Sequence, residues 1–272
     1  MSLPLATATA TIAAMDETAP PAPGRRGLVV ALDGPGSSGK STVGALAARE
    51  VGYRFCDTGL LYRAVTWLAL RRGLVPFDPA QPAAHEALAA LVPEVALAAD
   101  DHGRLGRVLV DGIDVSSEVA TAGIDEHVSA VARVAEVRAG LLARQRELVD
   151  GGGIVMAGRD IGTVVLPDAD LKIYLDASVE ERARRRAEER GLAAGDPESG
   201  RILAELKRRD TMDSTRPVAP LRVAPDAIVL VTDGLERHQS VGLVVAAIRA
   251  AESSRAHGDG RPGGRERSGG PG

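Results

Sequence analysis

Residues Gly34-Pro35-Gly36-Ser37-Ser38-Gly39-Lys40-Ser41 fit the pattern G-x-x-x-x-G-K-[ST], and their flanks constrain the fold more than any other stretch. The apolar run Gly27 to Asp33 reads as a strand leading in, and Ser41 to Glu50 reads as a helix leading out. A glycine loop between strand and helix is the context that makes this pattern a phosphate-binding loop rather than a chance glycine turn. Glycines let successive backbone N–H groups curl around an anion. The helix N-terminus adds unpaired donors and the positive end of its dipole. The pattern therefore predicts that Gly34, Pro35, Gly36, Ser37, Ser38, Gly39, Lys40, Ser41 and Thr42 hold the phosphates of a nucleoside triphosphate. Lys40 would reach the β- and γ-phosphates, and the Ser41 hydroxyl would take one position on Mg²⁺.

Composition sets the limits around that loop. The chain has 272 residues, 44% of them apolar, which is enough for one large domain with a buried core. A formal net charge of −4 demands neither nucleic acid nor anionic lipid as a partner. Cys56 is the only cysteine, which excludes an intrachain disulfide and suits a reducing, cytoplasmic setting. No apolar run approaches the roughly 18–20 residues of a membrane span, and the first residues lack the basic start of a secretory signal. Lysine occurs only at positions 40, 172 and 207, and asparagine is absent.

Along the chain, residues 1–26 are rich in Ala, Thr and Pro and residues 253–272 in Gly, Arg and Ser. Both ends offer little to bury and are expected as solvated extensions of a folded region spanning 27–252. Inside it, short apolar strands are expected at 53–56, 154–157, 171–175 and 227–231, alternating with helices. Helices are expected at 60–72, 83–91, 179–190, 201–213 and 235–251, and 116–149 reads as mostly helical with weak interruptions at Gly123 and Gly140. Alternation of this kind means a parallel sheet covered on both faces. Residues 95–99 and 107–110, joined by turn signals, read as a small antiparallel patch inserted among the α/β units. No internal repeat is visible.

A phosphate-binding loop fixes the donor and leaves the reaction open. A chain without asparagine cannot supply the Asn-Lys-x-Asp segment of guanine-specific switches, and no long apolar strand ends in Asp-Glu as in motor ATPases. What stands out instead is arginine placed after strands and in one flexible-looking region. That suits phosphoryl transfer to a second anionic substrate, whose phosphate must be neutralised and aligned.

Four motifs, the first at the phosphate loop itself, stand in order. They are Asp33-Gly34-Pro35, Asp57-Thr58-Gly59-x-x-Tyr62-Arg63, Gly158-Arg159-Asp160-Ile161-Gly162-Thr163-Val164-Val165-x-Pro167-Asp168-Ala169, and Arg209-Asp210-x-x-Asp213-Ser214-x-Arg216-x-Val218-Ala219-Pro220-Leu221. Together they resemble bacterial cytidylate kinase, from about Leu28 to Ala250. The resemblance implies a three-layer P-loop NTPase fold of the α/β class with a five-stranded parallel sheet. It also implies a small antiparallel insertion for the nucleoside monophosphate, about 59–137, and an arginine-rich lid, about 179–216. It implies a monomeric enzyme that phosphorylates CMP and dCMP from ATP with Mg²⁺.

Residue by residue, the resemblance puts Ser129, Arg138 and Asp160 at the cytosine. An arginine facing N3 or O2 and a carboxylate facing the N4 amine complement that base, whereas uracil would set O4 against the carboxylate. Arg209 and Asp213 fall at the sugar; Thr58, Arg63, Arg159 and Arg216 fall at the acceptor phosphate. Lys40, Arg159 and Arg216, with the lid residues Arg182 and Arg186, are the candidates for catalysis, and Arg185 is a third lid arginine. Taken alone, Ser129 and Arg138 would read as solvated helix residues, and the lid arginines as a charged face paired with Glu181, Glu188 and Glu189. The five histidines show no metal-ligand spacing and receive no role. Two positions differ from the family pattern: Ala157 stands where an acidic residue is usual, and the acid after the last strand falls late, at Asp233. The alternatives are a kinase for another small acceptor such as UMP or AMP, and an inactive nucleotide-binding regulator.

Overall fold

A strand buried on both faces needs an unbroken apolar run, and Val29–Asp33 (β1) supplies one with every residue buried. It forms the middle of the sheet in the computed structural model, which describes residues 26–193 and 195–258. β1 pairs in parallel with Ile154–Gly158 (β6) on one side and Leu171–Asp176 (β7) on the other. Arg54–Asp57 (β2) lies outside β6, and Ile228–Val231 (β8) outside β7, both parallel. The five expected parallel strands thus run in the order β2-β6-β1-β7-β8.

The antiparallel patch is not a separate unit. Val95–Ala99 (β3), Arg104–Val110 (β4) and Ile113–Asp114 (β5) form an antiparallel set, but β4 also pairs in parallel with β2 through Phe55 and Cys56. One eight-stranded sheet results. The open edge of β2 has unpaired backbone groups, and β4 satisfies them.

Apolar contacts divide the molecule by task. Lys40–Glu50 (α1) and Arg237–Gly258 (α8) cover one face of the sheet, where Val43, Ala47, Val244 and Ile248 pack on Leu32, Phe55 and Ile173. The insertion has its own core. It is built by Gly59–Arg71 (α2), Pro82–Ala89 (α3), Ala122–Val131 (α4) and Ala135–Glu147 (α5) around Val65, Leu88, Val108, Val128 and Leu141. Val179–Glu189 (α6) and Pro197–Ser214 (α7) close over a small contact of Ala183, Ala187, Ile202 and Leu206.

Three expected boundaries move. The helical region after 116 breaks at 132–134 rather than at a glycine, because α4 and α5 must both turn apolar faces to the same insertion core. α7 begins at Pro197, a residue suited to the first helical position, with the Asp196 side chain accepting from the Glu198 N–H at 2.8 Å. The last helix continues to Gly258, so the extension expected from 253 starts as helix, held by Tyr53 donating to Glu252 at 2.5 Å. The leader at 1–25 and the tail from 259 lie outside the described residues.

Candidate active site

The phosphate-binding loop leaves β1 at Asp33 and enters α1 at Lys40. Gly34 passes so close to β7 that a Cβ there would lie 2.2 Å from the Leu175 carbonyl oxygen. Gly39 caps α1 at φ 88°, a left-handed conformation that glycine adopts without steric cost, and no side chain caps the helix. The first N–H groups of α1 are therefore left for an anion. Ser38 Oγ is buried beside them without a partner. Lys40 is buried and donates from Nζ to the Pro35 carbonyl at 2.9 Å. Burial pushes its ammonium well below the ordinary range, and the nearby Arg159 adds to the effect. Ser41 Oγ donates to Asp57 Oδ2 at 2.5 Å, which sets two hard oxygens side by side at the loop. Thr42 is exposed, so it offers its first-turn backbone rather than its side chain.

On the other side of the loop, Thr58, Arg63, Ser129, Arg138, Arg159, Asp160, Arg209, Asp213 and Arg216 line one cavity, so all the residues expected at the acceptor converge. β6 ends at Gly158 and delivers Arg159 and Asp160 to its floor. Asp160 is buried between two guanidiniums, Arg216 at 2.9 Å and Arg138 in a shorter contact. Its two oxygens retain lone pairs for a further donor. The Arg138 guanidinium lies over the Tyr62 ring, 5.4 Å from its centre. Burial lowers the pKa of Arg216, with the Arg138 charge next in weight. The Thr58 hydroxyl donates to the Ala157 carbonyl at 3.0 Å.

Arg159 joins this cavity to the phosphate loop. Its Nε donates to Asp213 Oδ2 at 2.9 Å, and its Nη2 sits 3.4 Å from the point a Cβ on Gly36 would occupy. Burial works against the charge on Asp213, yet Arg159 and Arg209 hold its carboxyl below the ordinary range. Arg209 is half-buried, with its Nε enclosed and unpartnered, and burial together with Arg159 brings its pKa down to about 10.

The lid arginines sort themselves by helical position. Arg182 and Arg186, four residues apart on α6, share a face that turns to the phosphate loop. Arg182 donates to the Gly36 carbonyl at 2.9 Å and pairs with Asp210 at 2.6 Å. Arg186 lies 3.3 Å from Ser37 Oγ. Arg185 points the other way, to Glu181 and Thr232.

Several groups at the site escaped the sequence reading. Asp125 on α4 meets Arg63 at 2.5 Å, Arg186 at 2.7 Å and Arg209 at 3.7 Å. No motif marks it. Asp33 accepts the N–H groups of Ile161 and Gly162 at 2.7 Å each, which ties the end of β1 to the loop carrying Arg159 and Asp160. Its carboxyl is pushed up to about 6 by burial, against those two bonds. Asp33, Asp57 and Tyr62 lay inside the quoted motifs, a signal that was available. The two departures find local answers. Ala157 is buried and pairs in register with Asp57, whose carboxylate reaches Ser41. Asp233 accepts the Ser178 N–H with both oxygens, at 3.1 and 3.0 Å, and so anchors the start of α6.

The family model described as "Cytidylate kinase" matches residues 30–250. The chain belongs to the cytidylate kinase family. Among its relatives, the cytidylate kinase of Pelotomaculum thermopropionicum is 44% identical over 221 residues, covering 81% of this chain and 96% of that protein. The cytidylate kinase of Geobacillus kaustophilus is 43% identical over 227 residues, covering 82% and 97%. A bifunctional pantoate ligase/cytidylate kinase of Synechococcus sp. (strain RCC307) is 45% identical over 225 residues, and this chain spans 42% of that longer protein. No helix among the described residues is long and apolar enough to cross a membrane.

Proposed function

We propose that this member of the cytidylate kinase family transfers the γ-phosphoryl group of ATP to CMP and dCMP, giving ADP with CDP or dCDP. The observation that carries the reading is the convergence of Ser129, Arg138 and Asp160 in one cavity whose wall, through Arg159 and Arg209, abuts Gly36 of the phosphate loop. On this reading the kinase domain spans 27–252 and continues into the helix to 258, with the insertion at 59–137 and the lid at 179–216.

The loop amides and Lys40 hold the β- and γ-phosphates. Asp160, fixed by Arg138 and Arg216, accepts from the cytosine amine, with Ser129 on the same wall. Arg209 and Asp213 lie at the sugar, and Arg63, Arg159 and Arg216 clamp the acceptor phosphate. One acceptor oxygen forms the new bond to the γ-phosphorus as the bond to the β-phosphate oxygen breaks. The acceptor oxygen already carries negative charge, so the chain supplies alignment and charge neutralisation rather than a strong base. Arg182 and Arg186 close over the loop, which excludes water and keeps ATP from hydrolysis. Mg²⁺ arriving with ATP would supply further charge neutralisation. Ser41 and Asp57, whose oxygens adjoin at the loop, would hold it. Among the described residues no cluster of three or more His, Cys, Asp or Glu side chains could bind a metal independently.

A coupled assay with CMP, dCMP, UMP and AMP side by side tests the assignment. CMP and dCMP are expected to exceed UMP and AMP in kcat/KM by at least about 10²-fold, since the base site leaves a buried carboxylate facing O4 of uracil. Equal turnover of UMP or AMP would overturn the choice of acceptor.

A further inference from the structure

The geometry points to Asp125 as a positioning residue that stands in for phosphate: its carboxylate gathers Arg63, Arg186 and Arg209, and must release Arg63 and Arg186 when nucleotide phosphates enter. The inference rests on the proposed phosphoryl transfer, because those arginines come from the acceptor wall, the lid and the sugar site. None of the three is near Asp125 in sequence. They are carried by α2, α6 and α7, while Asp125 stands in the first turn of α4.

The carboxylate divides its oxygens. Oδ1 faces Arg63 at 2.5 Å and Arg209 at 3.7 Å, and Oδ2 faces Arg186 at 2.7 Å. All four side chains are mostly buried, with 14–22% exposure. A carboxylate and a phosphate present similar oxygen pairs to a guanidinium, so each can satisfy the same fork. Arg186 sits between the two: one Nη is on Asp125 and the other lies 3.3 Å from Ser37 Oγ in the phosphate loop. A rotation of that side chain would therefore trade the carboxylate for a bound phosphate.

Electrostatics supplies the reason such a group is needed. Lys40, Arg159 and Arg209 crowd one another, and the crowding adds to burial in lowering Lys40 and Arg209. Without an anion the cluster repels itself. Asp213 answers Arg159, and Asp125 answers Arg63, Arg186 and Arg209. Burial opposes ionisation of Asp125, but Arg63 and Arg186 keep its carboxyl below the ordinary range, so it is charged at neutral pH. The same contacts bridge the insertion to the lid. Asp125 thus orders the three arginines in the free protein and competes with the phosphates for Arg63 and Arg186.

Calorimetry with inorganic pyrophosphate, on the full chain and without turnover, tests this. Asp125→Asn should bind pyrophosphate about three- to fivefold more tightly than wild type, the size of one partly exposed ion pair removed from competition. Asp125→Glu, which restores the charge, should return affinity toward the wild-type value. Hydrogen exchange in α6 and α7 should be faster in the free Asn variant than in free wild type, and equal in both once pyrophosphate is bound. Asp125→Ser gives the same readings if the Asn variant does not fold. Unchanged or weaker pyrophosphate binding in the neutral variants would overturn the inference and leave an ordinary structural ion pair, even if melting temperature falls. Wild-type turnover of ATP with CMP is measured separately, and its absence would sink the kinase reading while leaving the pyrophosphate comparison to stand.

Discussion

Arg159 carries two obligations at once. Its Nε is fixed by Asp213 at 2.9 Å, and its Nη2 is aimed along Gly36 of the phosphate loop. On the proposed reading it touches both the acceptor phosphate and the transferring phosphoryl, where a preorganised charge has its greatest effect. Arg159→Ala is expected to lower kcat by about 10²–10³-fold while the Kd for ATP changes by no more than about threefold. Rapid-quench transfer rates and calorimetric ATP binding check the two halves, and a large loss of ATP affinity would show that Arg159 belongs to the donor site. Arg159 was expected at the site from its place after an apolar strand and from the motif Gly158-Arg159-Asp160, through which the family resemblance assigns it to the acceptor phosphate. Asp125 was not, because one acidic residue on a helix surface is indistinguishable in sequence from a solvated one.

At the scale of elements, Asp33 couples two strands. It ends β1, and its carboxylate holds the Ile161 and Gly162 N–H groups that orient the loop after β6. A buried carboxyl held at about 6 rather than 3.8 destabilises its ionised form by about 3 kcal/mol. Below 3.8 it is protonated folded and unfolded, and contributes no pH dependence. As pH rises from 3.8 through 6 the unfolded chain ionises first, so wild-type stability falls across that window. Asp33→Asn removes this titration. Urea unfolding at pH 4 and pH 7 is expected to show wild type losing about 2–3 kcal/mol more than the variant over that interval. A parallel pH response of the two proteins would refute a buried, raised Asp33. That parallel strands surround this residue followed from apolar runs alternating with helices, whereas their order and the fusion of β4 onto β2 did not. Backbone pairing at an edge leaves no mark on side-chain pattern.

For the whole molecule, charge is distributed against its average. The net charge is −4, yet Lys40, Arg159, Arg209 and Arg216 surround the junction of loop and cavity. A focused positive site in an acidic protein binds anions through local field rather than net charge, and salt screens that field. ATP binding is therefore expected to weaken by about five- to tenfold between about 50 and 500 mM KCl. Titration calorimetry across that range measures it, and an affinity indifferent to salt would argue that apolar contacts to the base dominate. By itself the sequence determined the phosphate loop and the parallel sheet around it, because each is written in local pattern, whereas Ser129 and Arg138 were placed with Asp160 only by family resemblance and brought together by the fold. Tertiary structure alone decided which lid arginines face the loop, since α6 offers arginines on several faces and only docking selects one. It alone placed Asp125 among Arg63, Arg186 and Arg209, a meeting of four helices whose charges acquire a common purpose only when packing removes them from water.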